Sequence, residues 1–378
     1  MGLFGNKHES YLGIDIGSNG IKLVELRKNK GRPQLWTYGV AERKLDIHTG
    51  GEVKHLDDLL EEKTGVRPNK KQDQKNLSAL MSDGRIEEYA SLLKELVKKT
   101  RATTTRATSS LPVSQVFHTV INFPKIEKKQ IDEIVKAEVE KLLPRATDDM
   151  QIVHQEVSMP PEDAKRYTRL LVTAAPKQLV AFYTAIFQKA GLQLIELETE
   201  AFALSRSLVG KDNSVSMVLD IGAERTNFFI IDNGLPMTHR SIQIGGNAID
   251  EVMARKLGMP VDQVSQIKMD MSRAPSGSLP LEPFIRALDP ITKEVQYNFE
   301  LYLRQSGNQA KRPEKIVLTG GSAAFPPLIE YLKKEFPLRI FIGDPWARVI
   351  YQDGLKPILD EVGPRMAVSI GLALRNFK

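Results

Sequence analysis

A short pattern that occurs twice, 205 positions apart, is the feature that most constrains the fold of this chain. The first copy, "YLGIDIGSNGIKLVEL" (residues 11–26), alternates apolar side chains as a half-buried strand does, places Asp15 inside the strand and turns on glycines into a second strand. The second copy, "VSMVLDIGAERTNFFIIDNGLP" (215–236), repeats Asp-Ile-Gly from Asp220. A turn and a third strand follow each copy, so the sequence predicts two similar domains, each built on a three-stranded meander.

The turn of the first hairpin has the residues of a phosphate site. Gly17 and Gly20 allow backbone angles that other residues avoid, and exposed N–H groups in such a turn form a cradle for an anion. Lys22, just after the turn, adds a positive charge. For one copy alone, an ordinary structural hairpin remains the alternative. Because the pattern occurs twice, we expect the two turns to face each other across a cleft that holds a triphosphate.

The two aspartates predict a metal ion in that cleft. Two carboxylates beside a triphosphate repel it, and in a partly dry cleft the repulsion costs several kcal/mol. A divalent cation between them removes the conflict, and Mg²⁺ prefers oxygen ligands and keeps most of its waters. Asp15 and Asp220 are therefore predicted to bind Mg²⁺, directly or through its waters.

A third element, "IVLTGGSAAFPPLIEYL" (316–332), is an apolar strand, a glycine pair and a helix that begins at proline. This order lets a backbone approach a ligand closely beside a helix N-terminus. A tight turn of an ordinary α/β fold explains this element equally well when it is considered by itself.

Together, the two hairpins and this element resemble the phosphate 1, phosphate 2 and adenosine motifs of the superfamily of actin-like, heat-shock-chaperone and sugar-kinase ATPases. Other segments resemble one branch, the type IV pilus assembly PilM family, which is related to the division protein FtsA. These segments are "DGRIEEYASLLKELVKK" (83–99), "INFPKIEKKQIDEIVKAEVEKLLP" (121–144), "GLQLIELETEAFALSRSL" (191–208), "IQIGGNAIDEVMARKLG" (242–258) and "MAVSIGLALR" (366–375). The resemblance extends over nearly the whole chain from Tyr11 and is weakest at 48–82.

The resemblance implies an α/β, actin-like ATPase fold: two RNase H-like domains around a nucleotide cleft, with an FtsA-type small subdomain inserted in the first. The expected boundaries are 10–110 and 176–210 for the first domain, 111–175 for the inserted strand–helix–strand–strand subdomain, 211–244 and 312–363 for the second domain, 245–311 for its mostly helical outer lobe, and 364–378 for a C-terminal helix that returns to the first domain.

The resemblance also implies a site for ATP and Mg²⁺, residue by residue. Asp15 and Asp220 would hold the metal, and Glu200 falls where catalytic relatives place an acid that orients the attacking water. The nucleotide contacts would come from both hairpin turns, the glycine pair that enters the outer lobe, a helix lysine and the adenosine motif: Gly17, Ser18, Asn19, Lys22, Gly222, Ala223, Gly245, Gly246, Lys268, Gly320, Gly321 and Ser322.

Two departures from the superfamily pattern predict slow hydrolysis. Relatives with fast turnover have Gly-Gly-Gly-Thr after the second Asp-x-Gly, whereas this chain has Ala-Glu-Arg-Thr at 223–226. The acidic partner often found three residues before the helix lysine is Ser265 here. We therefore expect an ATP-binding assembly protein that is at most a slow ATPase.

Composition excludes several other functions. The chain has 378 residues and no cysteine, hence no disulfide and no thiolate metal site. No apolar run approaches the ~20 residues of a membrane span, and the start is too polar for a signal peptide, so a cytoplasmic protein without membrane insertion is expected. Basic clusters at 27–32, 67–75 and 98–106, with a net charge of +6, suit either an anionic membrane face or solvated loops. No aromatic residues interleave with them, which argues against a nucleic-acid partner.

For the biological role, the resemblance implies a pilus component recruited to the inner face of the cytoplasmic membrane. Its partners would be other assembly components and the N-terminal cytoplasmic tail of a PilN-type inner-membrane protein, bound between the first domain and the small subdomain. An FtsA-like division protein is the first alternative, although this chain ends at "GLALRNFK" without the amphipathic helix of that family. A sugar-kinase-like or acetate-kinase-like phosphotransferase is the second, although the inserted segment offers no evident substrate pocket.

Overall fold

The computed structural model describes residues 9–46, 83–125, 128–142, 147–157, 159, 161–271, 274, 279–305 and 308–377. Residues 48–82, where the resemblance to the family is weakest, lie outside these residues.

The first sheet begins with the predicted meander and continues with two parallel strands. Its order is β3-β2-β1-β4-β8. Strand β1 pairs antiparallel with β2 so that Asp15 lies opposite Lys22, and it pairs parallel with β4. The strands are β1 (Ser10–Gly17), β2 (Gly20–Asn29), β3 (Arg32–Ala41), β4 (Arg106–Leu111) and β8 (Gln193–Thr199). Helices α1 (Gly84–Thr100) and α4 (Lys177–Ala190) contribute buried side chains to the same hydrophobic core as Ile14 and Leu23.

The second sheet repeats this arrangement, as the duplicated pattern predicts. Its order is β11-β10-β9-β12-β13, with an antiparallel meander and two parallel strands. The strands are β9 (Ser216–Ile221), β10 (Thr226–Asp232), β11 (Leu235–Ile242), β12 (Lys315–Thr319) and β13 (Arg339–Ile342). The helices that follow or interrupt them are α6 (Gly246–Leu257), α7 (Val261–Met271), α8 (Ile285–Arg304) and α9 (Pro326–Glu335).

A third, smaller sheet lies between β4 and β8 in the sequence. Strands β5 (Phe117–Pro124), β6 (Met150–Glu156) and β7 (Tyr167–Pro176) form it in the order β5-β7-β6, with helix α2 (Ile131–Leu142) and the short helix α3 (Pro161–Ala164) in the connections. Val135 and Val139 of α2 pack with Leu170 and Val172 of β7. This unit therefore has a hydrophobic core of its own.

The last helix, α10 (Lys356–Leu374), begins eight residues earlier than the expected start at Pro364 and contains that proline. A proline in a helix interior lacks the N–H that would bond to the carbonyl four residues earlier. The Pro364 carbonyl accepts hydrogen bonds from the backbone N–H of Gly320 and the hydroxyl of Thr319, both at 2.9 Å. The helix packs so closely on β1 that a Cβ atom at Gly13 would overlap the Ser369 carbonyl oxygen. Helix α10 thus contacts the first sheet and the end of β12 together.

Among the described residues, no helix combines the length and the hydropathy that crossing a bilayer requires.

Candidate functional site

The phosphate side of the site begins at the β1–β2 hairpin. Lys22 Nζ lies 2.8 Å from Asp15 Oδ2, and the hydroxyl of Ser110 lies 3.4 Å from the other carboxylate oxygen. Burial alone would lower the pKa of Lys22, but the charge of Asp15, the hydrogen bond to it and the charge of Asp220 together raise it. A Cβ atom at Gly17 would lie 3.2 Å from this ammonium group, so the glycine leaves room for it. Lys22 therefore stays cationic in the cleft.

The charge of Asp15 affects the pKa of Asp220, the second carboxylate of the predicted metal site. Burial, followed by the charge of Asp15, raises the pKa of Asp220 to about 6, whereas Lys22 and a hydrogen bond from Asn227 act in the opposite direction. The two aspartates are thus close enough to repel each other, and a cation between them would relieve the repulsion. In the described part of the chain, no group of three or more His, Cys, Asp or Glu is arranged to hold a metal. Two carboxylates suit Mg²⁺, which completes its shell with water and phosphate oxygens.

Glu200 belongs to the same cluster of charges. It lies in the first turn of α5 (Glu200–Leu204), where its Oε2 accepts hydrogen bonds from Asn227 Nδ2 at 3.2 Å and from the Val113 backbone N–H at 3.4 Å. Burial, followed by the charges of Asp220 and Asp15, raises the pKa of Glu200 well above its usual value. A raised pKa favours the protonated form of the carboxyl, which is a poorer base for an attacking water than the carboxylate.

The second phosphate turn is held by the glycine pair at the start of α6. The Gly222 N–H donates to the Arg225 carbonyl at 2.9 Å and closes the turn. The N–H of Gly246 then donates to the Gly222 carbonyl, also at 2.9 Å. A Cβ atom at Gly245 would lie only 2.7 Å from the Ala223 carbonyl oxygen. Gly245 and Gly246 therefore position the turn through close backbone contact.

A cavity lies on the adenosine side of the site. Its lining includes the predicted Lys268, Gly320, Gly321 and Ser322. Gly320 has a φ of +93°, which favours glycine, and a Cβ atom there would lie 2.6 Å from Asp220 Oδ1. The phosphate and adenosine sides of the site therefore meet at Gly320.

The helix lysine has an acidic partner that sequence reasoning missed. Lys268 Nζ lies 2.8 Å from Asp250 Oδ1 and donates to the Gly246 carbonyl at 3.2 Å. The hydroxyl of Ser265, at the position where an acid was expected, donates to Asp250 Oδ2 at 3.0 Å. The acid that pairs with the lysine thus comes from α6, four residues after Gly246. Its spacing from the glycine pair was the only signal for it in the sequence.

An arginine on α10 is the second residue that sequence reasoning missed. Arg365 lines the cavity, and its charge acts to lower the pKa of Lys22. Its guanidinium forms an ion pair with Glu42, just after β3. The chain after Glu42 also covers the first turn, because the Leu45 N–H donates to the Ser18 carbonyl at 2.8 Å. Since 323 positions separate Arg365 from Glu42, no local pattern could reveal this pair.

The predicted residues thus fall into two adjoining groups. The residues on the phosphate side include an exposed turn residue, Asn19, beside Ser18. The other residues on the phosphate side are Asp15, Gly17, Lys22, Glu200, Asp220, Gly222, Ala223 and Gly245. The residues on the adenosine side are Gly246, Lys268, Gly320, Gly321 and Ser322.

Sequence comparison matches this chain to a family model and to a curated relative. Residues 75–377 match the sequence model of the family described as type IV pilus assembly protein PilM. The cell division protein FtsA of Pseudomonas aeruginosa is 22% identical over 213 residues, which cover 50% of this chain and 49% of that protein. The chain therefore aligns with about half the length of that curated relative.

Among solved structures, a chain of the PilM–PilN type IV pilus biogenesis complex superposes with a TM-score of 0.76 at 22% identity, covering 97% of this chain and 98% of that one. The ethanolamine utilization protein EutJ from Carboxydothermus hydrogenoformans superposes with a TM-score of 0.52 at 15% identity, covering 98% and 90%. At these identities the similarity shows the fold, and it confirms the actin-like α/β prediction.

Proposed function

The chain belongs to the PilM family of type IV pilus assembly proteins, and from this membership we propose that it is an ATP-binding assembly component that docks the cytoplasmic tail of a PilN-type membrane protein. It would act in the cytoplasm and be held at the inner face of the membrane through that partner. Family membership disfavours the FtsA-like and kinase-like alternatives, because residues 75–377 match the pilus assembly family and the FtsA match covers only half of each chain.

The nucleotide part of the proposal depends on one observation, the convergence of Asp15, Lys22 and Asp220 beside the cavity at Gly320. Mg²⁺ bound by the two aspartates would neutralise phosphate charge, and Lys22 would contact the terminal phosphates. The cavity lined by Lys268 and Ser322 would take the nucleoside. Because the two sheets contribute one aspartate each, bound nucleotide would hold the two halves of the molecule in one relative orientation.

The partner part of the proposal concerns the small sheet. A neighbour with the same fold is described as a PilM–PilN complex, and an extended tail can bind a protein through main-chain hydrogen bonds and side-chain pockets. We assign the tail to the groove between the small sheet and the first sheet. A tail ordered on binding loses conformational entropy, so roughly micromolar affinity, about −8 kcal/mol, is expected.

The structure suggests how to remove the small sheet cleanly. Phe117 at its start and Ala174 near its end are register partners on neighbouring strands, so their Cα atoms are about 5 Å apart. A short glycine linker can therefore replace 117–174. The experiment titrates a labelled PilN-type N-terminal peptide into the intact and the excised protein, after circular dichroism has verified that both are folded.

The excised protein should no longer bind the peptide but should still bind nucleotide, because every predicted nucleotide-binding residue lies outside 117–174. Equal peptide affinity for both proteins would contradict the assigned groove. Absence of ATP binding by the intact protein would contradict the nucleotide part separately.

A further inference from the structure

The fold brings two basic clusters, distant in the sequence, to one end of the first sheet. The first lies at the tip of the β2–β3 hairpin and the second follows the end of α1. Arg27 Nη2 donates to the Thr103 hydroxyl at 2.6 Å, and the Thr37 hydroxyl donates to the Thr100 carbonyl at 2.9 Å, which joins the two segments. We call this surface the basic end; it consists of Arg27, Lys28, Lys30, Arg32, Lys98, Lys99, Arg101 and Arg106, with Trp36 among them.

The basic end is strongly and locally positive. Among the described residues, three of the eight cations of the basic end form ion pairs, each with one carboxylate. Of these three carboxylates, only Glu25 is fully buried. Glu9 pairs with Lys28, and Glu95 pairs with Lys99. The formal excess of five charges there approaches the net charge of +6 of the whole chain. Lys30 and Arg32 are both exposed at the hairpin tip.

An exposed tryptophan lies within this charge. Trp36 is 51% exposed, whereas Trp346, the chain's other tryptophan, is 1% exposed. The Arg27 guanidinium carbon lies 3.2 Å from the Trp36 ring centroid. A tryptophan ring beside cations is the combination that proteins place at the headgroup level of a bilayer.

Two other uses of this surface fit the observations less well. Strand addition by a peptide is blocked beside Trp36, because the Leu35 N–H donates to the Ile350 carbonyl at 2.8 Å and Ile350 donates to the Pro33 carbonyl at 2.9 Å. Single-stranded nucleic acid is recognised on successive aromatic platforms, and Trp36 is the one large aromatic that is exposed here among the described residues.

We propose that the basic end docks directly on the headgroups of an anionic phospholipid bilayer, with Trp36 at the headgroup level. It lies at the end of β1 opposite to the nucleotide turn. Asp15 lies five positions along the strand from Ser10, which pairs with Arg27, a distance of about 17 Å. Lipid contact therefore leaves the nucleotide site accessible and would hold the protein in a fixed orientation at the membrane surface. This inference does not depend on the proposed partner tail.

The test uses the full-length protein and sedimentation with vesicles of phosphatidylcholine alone or mixed with phosphatidylserine. Binding should require phosphatidylserine and weaken as salt rises, because each cation near the surface contributes about a five-fold gain in affinity that salt screens. The emission of Trp36 should shift to the blue on binding. Trp346 contributes no comparable shift, since it is already buried.

The decisive variants neutralise two charges each. Lys30→Gln with Arg32→Gln should weaken binding roughly 25-fold. The matched control, Lys333→Gln with Lys334→Gln at the exposed end of α9, should bind as the native protein does. Trp36→Phe should remove the blue shift while ATP binding is retained. Equal binding to both vesicle types, equal loss in the two double variants, or binding to DNA without binding to vesicles would each overturn the proposal.

Discussion

Lys22 Nζ lies 2.8 Å from Asp15 Oδ2, so one member of the predicted metal pair already has a cation beside it, whereas Asp220 has none at that distance among the described residues. The remaining uncompensated charge in the cleft is therefore that of Asp220, whose pKa burial and Asp15 raise to about 6.

The first prediction follows from this asymmetry. The protein should bind ATP tightly only with Mg²⁺, and Asp220→Ala should abolish the effect of the metal, a loss of about 1.5–3 kcal/mol, the value of one charge-assisted contact. Calorimetric titrations with and without Mg²⁺ measure this loss. Ser110→Ala, which removes only a 3.4 Å contact to Asp15, is the matched control and should keep the metal effect. Undiminished, metal-dependent binding by Asp220→Ala would exclude the two-carboxylate site.

The second prediction concerns the two glycines of the adenosine motif. Gly320→Val should abolish ATP binding, because its φ is +93° and the new side chain would press on Asp220 and the Ile221 carbonyl. The same contact means that this change disturbs the metal carboxylate as well as the nucleoside cavity. In Gly321→Ala the new Cβ would meet only Arg365 Cγ among protein atoms, at 3.9 Å, so this variant should fold without strain and lose less ATP affinity than Gly320→Val. Comparable losses in both variants would contradict this interpretation.

The third prediction concerns the pH dependence of hydrolysis. Burial raises the pKa of Glu200 well above its usual value, so the fraction of this carboxyl that is deprotonated and can act as a base increases as the pH rises. Turnover should stay below about 1 s⁻¹ at neutral pH and should increase on the alkaline side. Glu200→Gln should lower the rate and flatten the profile, while ATP affinity is preserved. A native profile that is flat, or that falls with pH, would remove Glu200 from the reaction.

The fourth prediction concerns Arg365 and Glu42. Arg365 lines the cavity but is paired with Glu42, and a nucleotide phosphate would compete for the same guanidinium. Glu42→Gln should tighten ATP binding by at most about five-fold, because exposed ion pairs contribute less than about 1 kcal/mol. Arg365→Gln should weaken binding by about ten-fold or more. Lys356→Gln, on the same helix but paired with the exposed Asp360, is the control. Equal affinities in all three variants would show that Arg365 does not contact nucleotide.

The fifth prediction concerns acid stability. His118 on β5 and His239 on β11 lie with ring centroids 5.2 Å apart, and His118 Nε2 lies 2.7 Å from the Pro236 carbonyl oxygen. Burial lowers the pKa of His118 to about 4 and that of His239 to about 3. Both rings stay neutral in the folded protein, whereas the unfolded chain takes up protons below about pH 6.5. The two histidines should therefore lower the free energy of unfolding as the pH drops from about 6.5 towards 4, whereas Asp220 and Glu200, whose pKa values burial raises, act in the opposite direction.

The expected slope is up to about 1.4 kcal/mol per pH unit for each histidine. Urea unfolding at several pH values measures it. His118→Asn should reduce the slope, and His154→Asn, at an exposed position on β6, controls for the loss of a histidine. The same slope in the native protein and in His118→Asn would show that His118 titrates normally.

The sequence by itself determined the architecture and most of the site. The repeated Asp-Ile-Gly hairpins predicted two sheets of one topology, because a half-buried strand, a glycine turn and a second strand are local patterns that a chain encodes within about 15 residues. The same turns located Asp15, Lys22 and Asp220, since strand register follows directly from the turn. Resemblance to relatives added Glu200, Lys268 and the adenosine glycines.

Only the tertiary structure decided which distant side chains meet. Arg365 pairs with Glu42, Asp250 takes the role expected at Ser265, and the basic clusters near 27–32 and 98–106 become one surface around Trp36. Helix α10 contains Pro364, and the carbonyl of this proline accepts hydrogen bonds from Gly320 and Thr319. Each of these contacts joins segments separated by 15 or more positions, where helical and strand periodicities carry no information and the packing of the two sheets alone sets the geometry.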